Sequence, residues 1–276
     1  MTVKLERPIV LAVGGFDPSG GAGVLADVKT FEQCGVYGFA ACTAITFQND
    51  TEFAGLEWLP ADTLIAQLDP LLGRFPVECV KIGIIENLTT LERVIDFIRA
   101  HRPTARIVWD PIVSASAGYA FHVAWDPAEA QRIGGRCTLV TPNMSEMMAL
   151  VPGMEPRDGA AMLGSHCAVL LKGGHAPGEV VVDTLCIGSE RFEYRTPRLP
   201  GTLGVSGKHG SGCVLAAAIT AALAWGEDLP SACEHGRVYA QRFLRSGEHR
   251  LGFHAPCSGT LSETIRGVRE TGGRGV

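Results

Sequence analysis

The sequence predicts an α/β fold built on a mostly parallel sheet with helices on both faces. Three observations carry this. Short apolar, β-branched runs alternate with amphipathic runs along the chain. Glycine clusters stand where a strand run gives way to a helical one. Apolar residues make up 46% of the chain against 19% charged, enough for a large core. The 276 residues show no linker and no internal repeat, so a single domain is expected over 1–276.

Taken in order, IVLAV at Ile9–Val13 reads as the first strand, and Val24–Gln33 as an amphipathic helix. Phe39–Phe47 is a second strand and Ala61–Phe75 a second helix. Cys79–Ile82 and Arg106–Trp109 are strands around a helix at Leu88–Arg99. Thr138–Val140 is a strand, with a helix starting at Ser145, and Ala168–Leu171 is another strand. Val180–Ile187 and Arg191–Tyr194 flank Gly188-Ser189, a hairpin that puts an antiparallel edge on the sheet. The alanine-rich run Cys213–Trp225 and the run Ser231–Leu244 are the last helices. The alternation of Ser, Ala and Gly over 110–125 reads as a mobile loop, and Gly267–Val276 as a frayed tail.

Composition excludes several roles. A net charge of −5 without a Lys/Arg run argues against nucleic acid. No segment is long and apolar enough to span a bilayer, and the N-terminus reads as a strand entering a glycine turn, not as a signal peptide. The nine cysteines are scattered, with no CxxC and no zinc spacing, as expected for buried thiols in a reducing cytoplasm.

Ligands of open α/β sheets bind at the carboxyl ends of the strands, so the loops there were read for chemistry. GGFDPSGGAG at 14–23 joins a strand to a helix, and its glycines let backbone N–H groups approach a polar ligand. Gly21-x-Gly23 within it is a weak match to a dinucleotide fingerprint, because seven residues separate it from the strand end. Gly210-Ser211-Gly212-Cys213 opens a helix whose N–H groups and dipole form an anion hole suited to a phosphoryl group. The same dipole is expected to lower the Cys213 pKa, making the thiol a proton acceptor. His209 beside it is a candidate ligand. Asn143 and Glu146 fit a helix cap, and at i, i+3 they also share a face that could reach Mg²⁺. Lys172, at the end of VLLKGG, delivers a cation to the rim. Asp110, at the end of IVWD, sits where a catalytic or metal-adjacent carboxylate is common, and where a turn starts equally often.

These features in this order resemble the hydroxymethylpyrimidine/phosphomethylpyrimidine kinases of thiamin biosynthesis, within the ribokinase superfamily. The resemblance spans about Ile9 to Ala222 and rests on the segment 15–49, VKIGI, VWDP, VTPNMSE, VLLKGGH and HGSGC. It implies a ribokinase-like three-layer α/β/α sandwich and an ATP- and Mg²⁺-dependent kinase, with a homodimer expected by analogy with the superfamily. Asp17 and Gln48 would contact the pyrimidine or its hydroxymethyl group, a Gln amide suiting an aminopyrimidine edge, and Gly15 and the Ser19–Gly23 turn would line the same pocket. Asp110, Asn143 and Lys172 would lie near the nucleotide, Glu146 near Mg²⁺, and Gly210, Ser211, Gly212 and Cys213 would form the catalytic anion hole. Cysteine at position 213 marks this branch, where most of the superfamily has an aspartate base. Two departures stand out: Ser116-Ala117-Gly118 replaces a usual Lys-Ser-Gly, and Gly207-Lys208 replaces a usual Asn-Thr, with Lys208 a possible substitute cation. The rival readings are a pyridoxal/pyridoxamine kinase, a pyrimidine- or nucleotide-binding sensor without turnover, and a dinucleotide-binding oxidoreductase.

Overall fold

The computed structural model describes residues 6–114, 121, 125–174, 178–199 and 207–256. Their central sheet is formed by β1 (Ile9–Phe16), β2 (Tyr37–Gln48), β3 (Phe53–Trp58), β4 (Cys79–Ile82), β5 (Arg106–Trp109), β6 (Leu139–Val140), β7 (Ala168–Leu171), β8 (Val180–Ile187) and β9 (Glu190–Pro197). The spatial order is β3-β2-β1-β4-β5-β6-β7-β8-β9. All pairs from β2 through β7 are parallel, while β3 and the β8–β9 hairpin add antiparallel edges. The helices are α1 (Gly23–Gln33), α2 (Ala61–Arg74), α3 (Leu88–His101), α4 (Pro127–Gly134), α5 (Met144–Leu150), α6 (Pro156–Gly164), α7 (Ser211–Ala224) and α8 (Leu229–Leu244).

Strand alternation makes the three layers. Along β1, Ile9, Leu11 and Val13 pack into one core, while Val10 and Ala12 point into the other. The first core takes Leu64, Leu68 and Leu72 of α2, Leu91 and Ile95 of α3, and apolar side chains of α4, α5 and α6. The second takes Phe31 of α1, Phe243 of α8 and nearly the whole of α7. Helix α7 is buried all round, from Cys213 to Leu223, because α1 and α8 cover it against the sheet. Its small side chains permit that approach: a Cβ on Gly236 of α8 would stand 2.4 Å from Ile219.

The structure adds three elements to those expected: β3, α4 and α6. Strand β3 is a short edge strand whose two exposed residues, Ala54 and Glu57, are three apart and so on opposite faces, which leaves its alternation weak. Helices α4 and α6 are short, and each begins with Pro in its first turn, a start signal that the sequence does carry. The expected loop over 110–125 is described only in part. Phe121 stands edge-on to Phe53 at 5.4 Å, and its N–H donates to the Val113 carbonyl at 2.9 Å. Residues 116–118, with the altered Lys-Ser-Gly position, and the expected tail lie outside the described residues.

Candidate active site

The carboxyl ends of β1, β2, β4, β5 and β7 open into a cavity of about 530 Å³, walled on one side by the start of α7. Gly15, Gln48, Asp110, Asn143, Glu146, Lys172 and Gly210 to Cys213 all line it. Of the residues expected in the site, Asp17 is absent from the wall, and of the Ser19–Gly23 turn only Ala22 and Gly23 reach it.

Helix α7 starts on Gly210, in the left-handed conformation with φ 76°, and no side chain caps it. Its first i→i−4 bond runs from the Val214 N–H to the Gly210 carbonyl at 3.0 Å. The Gly212 and Cys213 amides therefore stand ahead of the helical ladder, with the positive end of the helix dipole behind them. Lys172 closes the other side: a Cβ on Gly212 would lie 3.6 Å from its Nζ.

The fold delivers Lys172 by pairing the end of β7 with the strand that leads into α5. The Lys172 N–H donates to the Pro142 carbonyl at 2.8 Å, and Asn143 bridges Lys172 in parallel register. Its ammonium reaches Asp110 Oδ1 at 2.7 Å and Glu146 Oε2 at 3.4 Å. Thr141 also donates to Asp110 Oδ1, at 2.9 Å, and Asp110 Oδ2 is buried without a hydrogen-bond partner. Asn143 and Glu146 complete a capping box on α5: Glu146 accepts from the Asn143 N–H at 2.6 Å, and Asn143 accepts from the Glu146 N–H at 2.9 Å. Burial pushes Glu146 up to about 7 against the pull of Lys172, with Asp110 adding to the rise. Burial also works against the Lys172 charge, but Asp110 and Glu146 outweigh it and hold the ammonium protonated.

Sequence reasoning missed an ion pair beneath this floor. Lys81, from VKIGI on β4, is 1% exposed and lines the cavity. It donates to both oxygens of Asp27 on α1, at 2.8 and 3.0 Å. A lysine inside an apolar strand was the available signal, since a charge there needs a buried partner. Lys81 also bears on Cys213. Burial pushes that thiol up to about 11, against the opposing pull of Lys81 and a bond from the Gly23 N–H. The expected lowering by the helix dipole is thus corrected: desolvation outweighs it, and Cys213 is a thiol at neutral pH.

Asp17 is also placed differently from the acceptor-contact expectation. Its carboxylate, 1% exposed, accepts from the Ser19 N–H and hydroxyl at 2.9 Å each, from the Ala22 N–H at 2.8 Å and from His209 Nε2 at 2.9 Å. These bonds outweigh burial and hold its pKa below the usual carboxylate range. Lys208 does not stand in as a free cation. Its ammonium donates to the Gly247 carbonyl at 2.6 Å and to the His249 carbonyl, so it pins the turn after α8. His175 lies outside the described residues.

The two ends of the cavity differ. Near β1 and β2, Gln48 donates to Thr46 Oγ1 at 2.8 Å, and Thr46 donates to the Phe16 carbonyl at 2.8 Å. That fixes the Gln48 amide and leaves its oxygen as an acceptor. Gly15 leaves room beside it for the Ile84 side chain, whose Cδ1 would stand 2.4 Å from a Cβ there. Near β8, β9 and α8, Asp183 accepts from the Gly173 N–H at 2.8 Å and pairs with Arg237 at 3.1 Å, while Arg237 and Gln241 both donate to Thr196.

Residues 17–257 match the phosphomethylpyrimidine kinase family. The chain belongs to that family. A hydroxymethylpyrimidine/phosphomethylpyrimidine kinase of Rhizobium meliloti is 35% identical over 252 residues, covering 87% of this chain and 91% of the relative. Among solved structures, the phosphomethylpyrimidine kinase of Clostridium difficile superposes with a TM-score of 0.68 at 27% identity, covering 85% of this chain and 98% of that one. The pyridoxal kinase of Staphylococcus aureus, solved in complex with ADP, gives 0.76 at 25% identity, covering 94% and 96%. The fold is thus the ribokinase-like sandwich of the vitamin kinases.

The donor set suits Mg²⁺. Among the described residues no group of three or more His, Cys, Asp or Glu could hold a metal alone. Mg²⁺ needs no such cage, since it is bound by one or two carboxylates together with substrate phosphates. The unpartnered Asp110 Oδ2 and the Glu146 carboxylate offer hard oxygens in a cavity with room for phosphates.

Proposed function

We propose that this kinase transfers the terminal phosphoryl group of ATP to the hydroxymethyl group of 4-amino-5-hydroxymethyl-2-methylpyrimidine, and then to the monophosphate so formed. One observation carries the reading: the uncapped start of α7 and the Lys172 ammonium converge on one point of a cavity whose far wall is Gly15 and Gln48. The acceptor lies at the Gln48 end, its amino group donating to the fixed amide oxygen. The nucleotide phosphates run past Asn143 and Lys172, and the transferred group rests on the Gly212 and Cys213 amides. The acceptor oxygen bonds to the γ-phosphorus as the bond to the ADP oxygen breaks, and the hydroxyl proton leaves toward Cys213. Glu146 and Asp110 would hold Mg²⁺ together with the phosphates, where the ion would supply neutralisation of charge on the phosphate oxygens.

A thiol pushed up to about 11 is a weak base in this role. Phosphoryl transfer has a loose transition state, so the attacking oxygen gains little positive charge early and a strong base is not required. Positioning and electrostatics supply most of the rate. We also propose that the protein works in the cytoplasm, as a homodimer. Cys42, Cys79, Cys137, Cys167, Cys186, Cys213 and Cys233 are free thiols, and no described helix is long and apolar enough to cross a membrane.

ADP release with Mg-ATP tests the reading, comparing hydroxymethylpyrimidine, its monophosphate and pyridoxal at matched concentration. Turnover with both pyrimidines is expected. Turnover with pyridoxal alone would assign the chain to vitamin B6 salvage, and saturable nucleotide binding without turnover would make it a sensor.

A further inference from the structure

We propose that His209 is a positioning residue: through Asp17 it latches the anion-binding turn of α7 to the glycine loop that starts α1, and this latch governs the rate of phosphoryl transfer. The proposal rests on the kinase reading above.

The two loops are 192 residues apart in sequence, and a single buried bond joins their side chains. His209 Nε2 lies 2.9 Å from Asp17 Oδ2, with the side chains 7% and 1% exposed. The carboxylate only accepts, so His209 donates. The bond sits at the start of two helices at once. Ala22 is the N-cap of α1 and Gly210 the N-cap of α7, and neither position is capped by a side chain. Asp17 takes the Ala22 N–H and the His209 ring, so one carboxylate fixes both helix starts against each other.

The surrounding contacts show what this registration controls. A Cβ on Gly210 would stand 2.0 Å from the Gly21 carbonyl oxygen, and one on Gly21 would stand 2.6 Å from His209 Cδ2. The loops therefore meet backbone to backbone, with glycine required on both sides. The loop of Asp17 continues into Gly23, whose N–H bears on Cys213 and where a Cβ would stand 2.1 Å from the Gly15 carbonyl oxygen. A shift of His209 thus moves the amides that receive the phosphoryl group relative to the wall that holds the acceptor. A misplacement of ~1 Å costs about 10²-fold in rate. The latch has a second anchor, since the His209 N–H donates to the Arg250 carbonyl at 2.9 Å. Removing the ring therefore loosens the turn without detaching it.

The test uses the full chain as wild type, His209→Ala, His209→Gln and Asp17→Asn. Each is measured for kcat and for KM toward ATP and hydroxymethylpyrimidine, for Tm, and for iodoacetamide alkylation of Cys213 read by peptide mass spectrometry. The latch predicts that His209→Ala lowers kcat by about 10²-fold while both KM values stay within about threefold. His209→Gln, whose Nε2 can still donate, recovers most of that loss. Cys213, 7% exposed in the wild type, is alkylated faster in His209→Ala. Alkylation needs no turnover, so a wild type inactive on every acceptor would sink the kinase reading while faster alkylation in His209→Ala still supported the latch. Three results overturn the proposal: unchanged kcat and alkylation in His209→Ala; a lowered Tm that Gln does not restore, with kcat per folded enzyme kept; or a rise in pyrimidine KM confined to Asp17→Asn, which would make Asp17 an acceptor ligand.

Discussion

Lys81 holds both carboxylate oxygens of Asp27, at 2.8 and 3.0 Å, with the two side chains 1% and 0% exposed. The pair ties β4 to α1 directly behind Cys213. Burial pushes Asp27 up to about 6 despite the Lys81 cation. Burial opposes the Lys81 charge as well, but Asp27, Cys213 and Asp110 outweigh it, so the lysine stays protonated.

Breaking this pair is expected to cost more than replacing it. Lys81→Met leaves a buried carboxylate alone, a loss of about 3–5 kcal/mol. The sign with pH follows from the raised pKa of Asp27. Its contribution is fully present below the unfolded value of 3.8 and is lost as pH rises through about 6. Without Lys81 the carboxyl rises further, so the variant is hurt more at pH 8 than at pH 5. Lys81→Met/Asp27→Leu, which removes both charges, is expected to regain most of the stability. Urea unfolding at the two pH values measures it, and a single-variant cost under about 1 kcal/mol at pH 8 would contradict the pair's role.

Cys213 is expected to react as an ordinary buried thiol. Burial pushes it up to about 11, so its alkylation rate rises steadily between pH 7 and pH 10 with no plateau, where an activated thiolate would level off near neutrality. Full general-base catalysis contributes about 10²–10⁴-fold, and a thiol this weak supplies less. Cys213→Ala is therefore expected to slow turnover by less than about 10²-fold. A loss beyond about 10⁴-fold, with the fold intact by circular dichroism, would mean that the thiol does more than relay a proton.

The parts of this architecture visible in the sequence are those set by local rules. The β1–α1 and β7 runs, the glycine turn before α7 and the Asn143–Glu146 cap are all written within a few residues of each other. So are the motifs that carry the family resemblance. The Lys81–Asp27 and Asp17–His209 pairs join residues 54 and 192 positions apart, and no spacing rule predicts them. The family resemblance implies that Asp17 contacts the acceptor, yet Ser19, Ala22 and His209 claim its oxygens. The Cys213 expectation failed for a related reason. A helix start is readable in sequence, but the burial that outweighs its dipole depends on α1 and β4 closing over it. Strand β3 is an edge with little alternation, and short α4 and α6 bury few residues each, so their patterns are faint.

Glu146 joins helix capping to ligand binding, and the two can be separated. Burial pushes it up to about 7, so its carboxylate form grows in as pH rises through neutrality. The KM for Mg-ATP is expected to fall between pH 6 and pH 8 in the wild type. In Glu146→Gln it is expected to be higher and nearly independent of pH, because the amide still accepts from the Asn143 N–H but offers no charge. Asn143→Ala removes the other half of the box and costs about 1 kcal/mol of stability. An unchanged pH profile in Glu146→Gln would remove Glu146 from the metal site.

Lys172 provides the sharpest separation of chemistry from stability. Its ammonium lies 2.7 Å from Asp110 and 3.4 Å from Glu146, and it faces Gly212 at the start of α7. Losing one preorganised donor at a site of developing charge costs about 10²–10³-fold in rate. Lys172→Met is expected to lose at least that in kcat, since it also removes the ammonium that pairs with Asp110 and Glu146 beside the phosphates. Lys172→Arg restores the charge but is expected to recover little of the rate, because a planar fork cannot sit as a point charge between Asp110, Glu146 and the transferring group. Single-turnover measurement with saturating Mg-ATP isolates the chemical step from nucleotide affinity. If Lys172→Met kept its single-turnover rate and lost only affinity, the lysine would hold the nucleotide in the ground state alone, and the charge of transfer would fall on the Gly212 and Cys213 amides.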